Sequence, residues 1–337
     1  MSMSDTIIDI FCHIFPDRFF QEMTAAAPKL ENIGMRLRGI KKLFDLDERF
    51  REMDQFGDYR EIISLPNPAI EDLVKPDVGL RLARIANDAM AELCAKHPKR
   101  FPAFAAAICL TDIDGSIKEA ERAITTLGAR GVQIFTSIAG EPLDQPKFDP
   151  FFALLARHGL PVWLHPVRTA AMPDYPSEQK SRYEMWWCFG WPYDTSVAML
   201  RLVFSGLLDR YPKLKIITHH LGGMIPFYDG RVGPGLKVLG ARTSDENYSQ
   251  VLPSLKRPHM DYLHDFYGDT ALFGGGVHAV RCGLEFFGAE HVVFATDTPL
   301  GPIAPTIKAI DALGLTAEDR RKILCGNAER LLNMKFS

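Results

Sequence analysis

The sequence has no C-x-x-C pair, no glycine-rich loop after its first apolar strand, and no apolar run near the ~18–20 residues a membrane span needs. Its six cysteines (Cys12, Cys94, Cys109, Cys188, Cys282 and Cys325) are dispersed. Such usage disfavours a zinc ribbon or disulfide scaffold and suits a reducing, cytoplasmic compartment. The start MSMSDTIIDI lacks a basic segment followed by an apolar one, so no signal peptide is expected. Charge of one sign is also missing: 39 Lys and Arg face 42 Asp and Glu, a formal net charge of −3. Electrostatics therefore gives no reason to expect a nucleic-acid or membrane partner. A last absence is local. In IDIFCHIFP, residues 8–16, an apolar strand ends in one histidine, His13. A His-x-His pair would set two imidazoles on one strand face, because side chains alternate with period two. Phe11 stands in the first of those places.

What is present is enough for a sizeable core: 337 residues, 47% apolar and 24% charged, read as one domain spanning 1–337. Short β-rich runs recur at about 6–12, 61–65, 102–108, 131–136, 160–165, 214–219, 266–271 and 291–296. Between most of them lie stretches with apolar residues at three- and four-residue intervals, such as GLRLARIANDAMAELCAKH and DTSVAMLRLVFSGLLDRYP. Strand alternating with helix argues for a parallel sheet. An open, doubly wound sheet would carry a glycine-rich loop after its first strand, whereas this strand ends in FCHIFP. The expectation is an α/β fold, a (β/α)8 TIM barrel, with a helical insertion over 17–55 and an aromatic loop over 167–192. Near the end, Thr316 is expected to cap a helix and Asn327 to begin another.

The strands end in residues that are costly to bury. The first ends at His13, the fifth (PVWLHP) at His165, the sixth (KIITHHLGG) at His219 and His220, and the eighth (VVFATDTPLG) at Asp297. In a closed barrel these ends converge on one mouth. Imidazole and carboxylate are ligands for zinc and also suit manganese or iron. A lone strand-end histidine is more often structural, and His97, His158, His259, His264, His278 and His291 are read so. Four strand ends together point instead to an open catalytic metal site. Cys12 should point away from His13 and pack. Neighbours on a strand face opposite ways, so only one histidine of the HH pair should reach the metal or substrate. His220, which opens the glycine-rich turn, is favoured, and His219 is expected either to support the site from behind or to be structural.

These motifs, with REMDQFG, ARGVQIFTSIAGEPLD, FYGDTA and GNAERLL, resemble the amidohydrolase-2 branch of the amidohydrolase superfamily. That branch includes decarboxylases of 2-amino-3-carboxymuconate semialdehyde, γ-resorcylate and 5-carboxyvanillate. The resemblance covers essentially the whole chain and is closest over Gly190 to Phe227. It implies a barrel holding one divalent metal ion, zinc or manganese, on His13, His165 and Asp297. It further implies that His220 contacts the metal-bound water or substrate. Arg231 would reach a neighbouring subunit's substrate carboxylate, in a homodimer, and Trp187 would line the pocket. Phe11 is the departure. It stands where relatives carry a His or Glu ligand, leaving His13 as the surviving half of the motif and Phe11 as an apolar part of the substrate pocket.

The reaction expected is non-oxidative decarboxylation of an aromatic or unsaturated carboxylic acid, with Asp297 or His220 delivering the proton. Hydrolysis of a lactone, ester or amide would use the same residues, with Asp297 as base. A non-catalytic binder of a small aromatic acid is the reading that Phe11 favours.

Overall fold

The computed structural model describes residues 6–28 and 33–336. The residues read above for a leader (1–5), part of the insertion (29–32) and residue 337 lie outside the described residues. Eight parallel strands line the barrel: β1 (Ile7–His13), β2 (Tyr59–Ser64) and β3 (Ala103–Phe104) pair as one sheet, and β4 (Val132–Phe135), β5 (Pro161–His165), β6 (Lys215–Thr218), β7 (Tyr267–Asp269) and β8 (Val292–Val293) as a second, the two being joined by a parallel bridge between Ala106 and Val132. All seven residues of β1 are buried, as a strand covered on both faces requires. Helices follow the strands on the outside, among them Pro76–Lys96, Ile113–Thr125, Asp149–His158, Gly190–Phe204, Val277–Phe287 and Ile303–Asp311. Thr316 caps Ala317–Arg321 by accepting the Asp319 amide, but no separate helix begins at Asn327, because the turn runs on through a π-helical stretch, Lys322–Gly326, into Asn327–Leu332.

The barrel closes where the last strand meets the first. The Ile10 amide donates to the Phe294 carbonyl at 3.0 Å, and the His13 amide to that of Thr298 at 2.8 Å. The Asp9 carboxylate, wholly buried, accepts from the Thr296 amide at 3.1 Å, from Thr296 Oγ1 at 2.5 Å and from the Tyr59 hydroxyl. One side chain thus joins β1, β2 and the end of β8. The expected strands 102–108 and 291–296 are shorter than the sequence suggested, because side chains replace their ladders. Asn87 pairs with both the amide and the carbonyl of Ala107, and Thr270 Oγ1 with both polar groups of Ala295.

A bulge sets the phase of β1. Asp9 faces Glu61 and Cys12 faces Ile63, so the first strand carries one residue more than its partner. Ile8, Ile10 and Phe11 thereby pack in one interior cluster with Trp163, Ile217 and Ala295. Trp163, fully buried on β5, reaches across the barrel and donates its indole N–H to the Ile10 carbonyl at 2.8 Å. Small residues (Ala103, Ala105, Ala295) belong to the same cluster and leave space for it. The interior is therefore packed solid below the mouth.

The insertion folds as helices Asp17–Ala26, Ile33–Arg38 and Leu46–Met53. The last begins at a cap, Asp45, which accepts the Glu48 amide. It delivers Arg49 into the protein, 1% exposed. The Arg49 guanidinium donates to Glu61 Oε2 and to the His13 carbonyl, both at 2.6 Å, so the insertion holds the end of β1 in place. Arg49→Met would leave Glu61 as an unpaired buried charge and should cost about 3–5 kcal/mol in denaturant unfolding. Arg49→Met combined with Glu61→Leu should recover most of that loss, since the uncompensated charge goes with its partner.

Candidate metal centre

At the mouth, one ligand atom from each of His13, His165, His219 and Asp297 falls within 4.8 Å of the others, and all four residues are buried. The nearest pair is His13 Nε2 and Asp297 Oδ1, 2.9 Å apart, and His219 Nε2 lies 3.6 Å from the same oxygen. His13 Nε2, His219 Nε2 and Asp297 Oδ1 nevertheless make no properly directed hydrogen bond. These atoms converge on a common point rather than on one another.

Each ring is fixed from its far side. The Ser64 hydroxyl donates to the Cys12 carbonyl at 3.2 Å and so accepts the Nδ1–H of His13, also at 3.2 Å. His165 Nδ1 donates to the Pro166 carbonyl at 2.7 Å, and His219 Nδ1 to Asp269 Oδ2 at 2.6 Å. With Nδ1 committed to these contacts, Nε2 is the atom that each ring turns to the centre, where it can offer a lone pair once the ring is neutral, the arrangement seen when imidazoles ligate metals. Burial, then the neighbouring His219 and His13, pushes the His165 pKa well down and keeps that ring in its neutral, ligating form. Burial alone would lower His219 too, but the carboxylates of Asp269 and Asp297 outweigh it and hold its pKa at about 9. Burial would raise Asp297, yet the imidazoles of His13 and His219 hold it well below the usual carboxylate range. Three imidazoles, one ionised carboxylate and orphaned buried donor atoms fit a divalent cation.

His219 therefore departs from expectation, since it was read as supporting or structural and it joins the group. The alternation of side chains stops with β6 at Thr218. Beyond it His219 is extended, whereas His220 and Leu221 take φ of +55° and +49°, and the two imidazole centroids end 3.8 Å apart. A left-handed residue after the strand brings both rings to the same side. Asp269 fixes this turn by accepting the His220 amide at 3.0 Å. The His220 ring lies beside Trp191 and Phe273, nearly parallel to both, and neither ring nitrogen has a partner. Burial and the adjacent His219 push its pKa well down, so it is neutral. Asp297 also sits in the left-handed region, with φ of +64°. Strain at both residues marks a site that the surrounding structure over-determines.

Above the group opens a cavity of about 620 Å³ lined by Trp186, Trp187, Trp191, Phe273 and Asp297, with Arg36, Lys180 and Arg182 also in its wall. Trp187 is half-buried there, its indole N–H donated to Glu184 at 2.7 Å. Part of the expected loop 167–192 is helical, at Met185–Cys188 and from Gly190 on. Phe11 and Arg231 are both absent from this chain's own cavity wall, a departure for Phe11 alone, since Arg231 was expected to act on a neighbouring subunit. Phe11 is wholly buried under the histidines and supports them from below instead of lining the cavity. Arg231 is exposed on Asp229–Val232, stacked over Tyr228 and outside the cavity wall. Cys12 bonds the Asp9 carbonyl and takes no part in the group. Asp269 lay in the quoted FYGDTA without an assigned role, and Arg36, Trp191 and Phe273 were not singled out.

Residues 8–334 match the family model described as amidohydrolase. The chain is 32% identical over 309 residues to γ-resorcylate decarboxylase of Rhizobium sp., covering 87% of this chain and 89% of that protein. It superimposes on 5-carboxyvanillate decarboxylase of Novosphingobium aromaticivorans, solved with manganese and 4-hydroxy-3-methoxy-5-nitrobenzoic acid, with a TM-score of 0.82 at 25% identity over 99% of this chain and 97% of that one. A dihydroxybenzoic acid decarboxylase of Polaromonas sp., solved with manganese and 2-nitroresorcinol, gives 0.78 at 27% identity over 98% and 97% of the two chains. The shared barrel and the full-length family match agree: this chain belongs to the amidohydrolase family, in the branch that contains the γ-resorcylate and 5-carboxyvanillate decarboxylases.

Proposed function

We propose that the protein is a metal-dependent decarboxylase of a small aromatic carboxylic acid, with its divalent ion held by His13, His165 and Asp297. The observation that carries this reading is the juxtaposition of that buried ligand group with a cavity walled by tryptophan and phenylalanine. When bound, the ion supplies Lewis acidity and a template for the substrate's carboxylate and an adjacent oxygen. Manganese is the ion in two solved relatives, and zinc suits the same ligands.

The chain's own groups do the rest. Trp187, Trp191 and Phe273 offer ring faces and edges for an aromatic substrate while excluding water. Arg36, Lys180 and Arg182 give the mouth a positive rim that attracts an acid. The bond from ring carbon to carboxyl carbon breaks, CO2 leaves, and the electron pair stays on the ring carbon, which takes up a proton. No electron acceptor is required. His220 is placed to move that proton on a ring nitrogen, because its neutral ring faces the aromatic wall with both nitrogens free. Asp297, at the cavity floor, is the second candidate.

We also propose a homodimer. Tyr175, Tyr183, Phe189 and Tyr193 expose 53–87% of their surface around one shallow depression near the mouth, more aromatic surface than a monomer ordinarily leaves wet. Arg231, exposed and outside its own cavity wall, would act across that interface. Among the described residues no helix is long and apolar enough to cross a membrane, and all six cysteines are free, which supports a cytoplasmic location.

Three outcomes are expected. His165→Ala and Asp297→Ala should each lower CO2 release from hydroxybenzoates by ~10²–10⁴-fold with unchanged circular dichroism. Full activity in either variant, or a new carboxylate formed with water uptake, would reject the assignment. Trp187→Ala should raise KM by roughly tenfold and change kcat less, as loss of a stacking face does. Light scattering should give twice the monomer mass, and Phe189→Glu should shift it toward the monomer.

A further inference from the structure

One of the three imidazoles at the mouth, that of His219, comes from just beyond a strand end and packs against Phe11. Phe11 occupies a ligand place on β1 and cannot donate an electron pair. Its ring, 0% exposed, lies with its centroid 4.1 Å from that of His219, closer than to His13 at 5.4 Å or His165 at 5.7 Å. The phenyl ring is thus the surface against which His219 packs. On its other side His219 is held by Asp269, itself buried. One oxygen of Asp269 takes the Nδ1–H at 2.6 Å, and the other takes the amides of His220 at 3.0 Å and Ala271 at 3.1 Å. His219 Nε2 is left buried, without a directed hydrogen bond, inside the group formed with His13, His165 and Asp297.

We propose that His219 has replaced the ligand lost at Phe11. The metal ion is held by three imidazole nitrogens from β1, β5 and the end of β6 and by the Asp297 carboxylate, with Asp269 as the positioning residue for the new ligand. This rests on the metal-dependent reading above and adds to it the ligand count and the strand of origin. Phe11 and His219 act as a pair. An apolar ring at the first position leaves room for an imidazole arriving from the end of β6, and the two rings pack together at a tilt of 45°. The aspartate that already fixed the turn after β6 supplies the hydrogen-bond partner. Such a site is complete in protein nitrogen despite its broken His-x-His pattern.

The test measures metal binding, not turnover. Zinc and manganese affinities are obtained by competition with a chromophoric chelator for the wild-type protein and for His219→Ala, Asp269→Asn and His165→Ala, with thermal melting as the check on folding. His219→Ala should bind zinc at least about 100-fold more weakly, comparable to His165→Ala, and Asp269→Asn should lose ~10–100-fold, the range for a partner that orients a ligand. X-ray absorption of the zinc-loaded wild-type protein should count three imidazoles, a measurement that stands even where a variant does not fold. Two imidazoles, or a His219→Ala protein that binds zinc as tightly as the wild type while His165→Ala does not, would overturn this inference and leave the decarboxylase reading intact. A folded wild-type protein that binds neither ion would overturn both.

Discussion

His13 and Asp297 come from opposite ends of the chain, and their side chains meet at 2.9 Å only because the last strand closes on the first. That closure is specified by a buried carboxylate. Asp9 ties the backbone and hydroxyl of Thr296, next to Asp297, to the strand that carries His13. Tyr59 joins the same carboxylate from β2. Arg49 then grips the His13 carbonyl from outside. The metal-site geometry is thus inherited from polar contacts one layer down, where burial makes each of them costly to leave unmade.

The same low-polarity surroundings determine the charge state at the mouth. Three imidazoles and a carboxylate sit there with almost no access to water. In the bare protein, a proton on His219 offsets the Asp297 charge, with Asp269 sharing the load. A divalent cation held there would do the same work more completely, on the Nε2 atoms that the Nδ1 contacts direct inward. His220, pushed toward neutrality beside this group, keeps both nitrogens buried and without a hydrogen-bond partner. Charge is concentrated at the floor and apolar surface in the walls, a combination suited to a flat acid whose carboxylate must be handled apart from its ring.

The eight strands and most of the helices were legible because a strand covered on both sides has to be apolar nearly throughout, and the helices between carry their own period. The polar residues that end strands stood out against that background, which is how His13, His165 and Asp297 could be named. Two things escaped. Side chains of Asn87 and Thr270 imitate ladder bonds, so the strands near Ala107 and Ala295 stop earlier than their apolar runs suggest. The grouping of His219 with the other three was not foreseen, because alternation was carried past Thr218 into a turn with a left-handed residue, a conformation that non-glycine residues seldom adopt. Asp269 ends a strand of three residues, too short to announce itself by periodicity. Arg36 belongs to an exposed helical turn whose position over the mouth is a matter of tertiary packing alone.

Trp163 spans the interior from β5 to β1, and with Phe11 and its aliphatic neighbours it leaves no passage through the centre of the barrel. The chamber is therefore a cul-de-sac. Gas and arene must retreat along the route by which the acid came in, past the same aromatic threshold. A product lingering at that threshold would then stand in the way of the next acid.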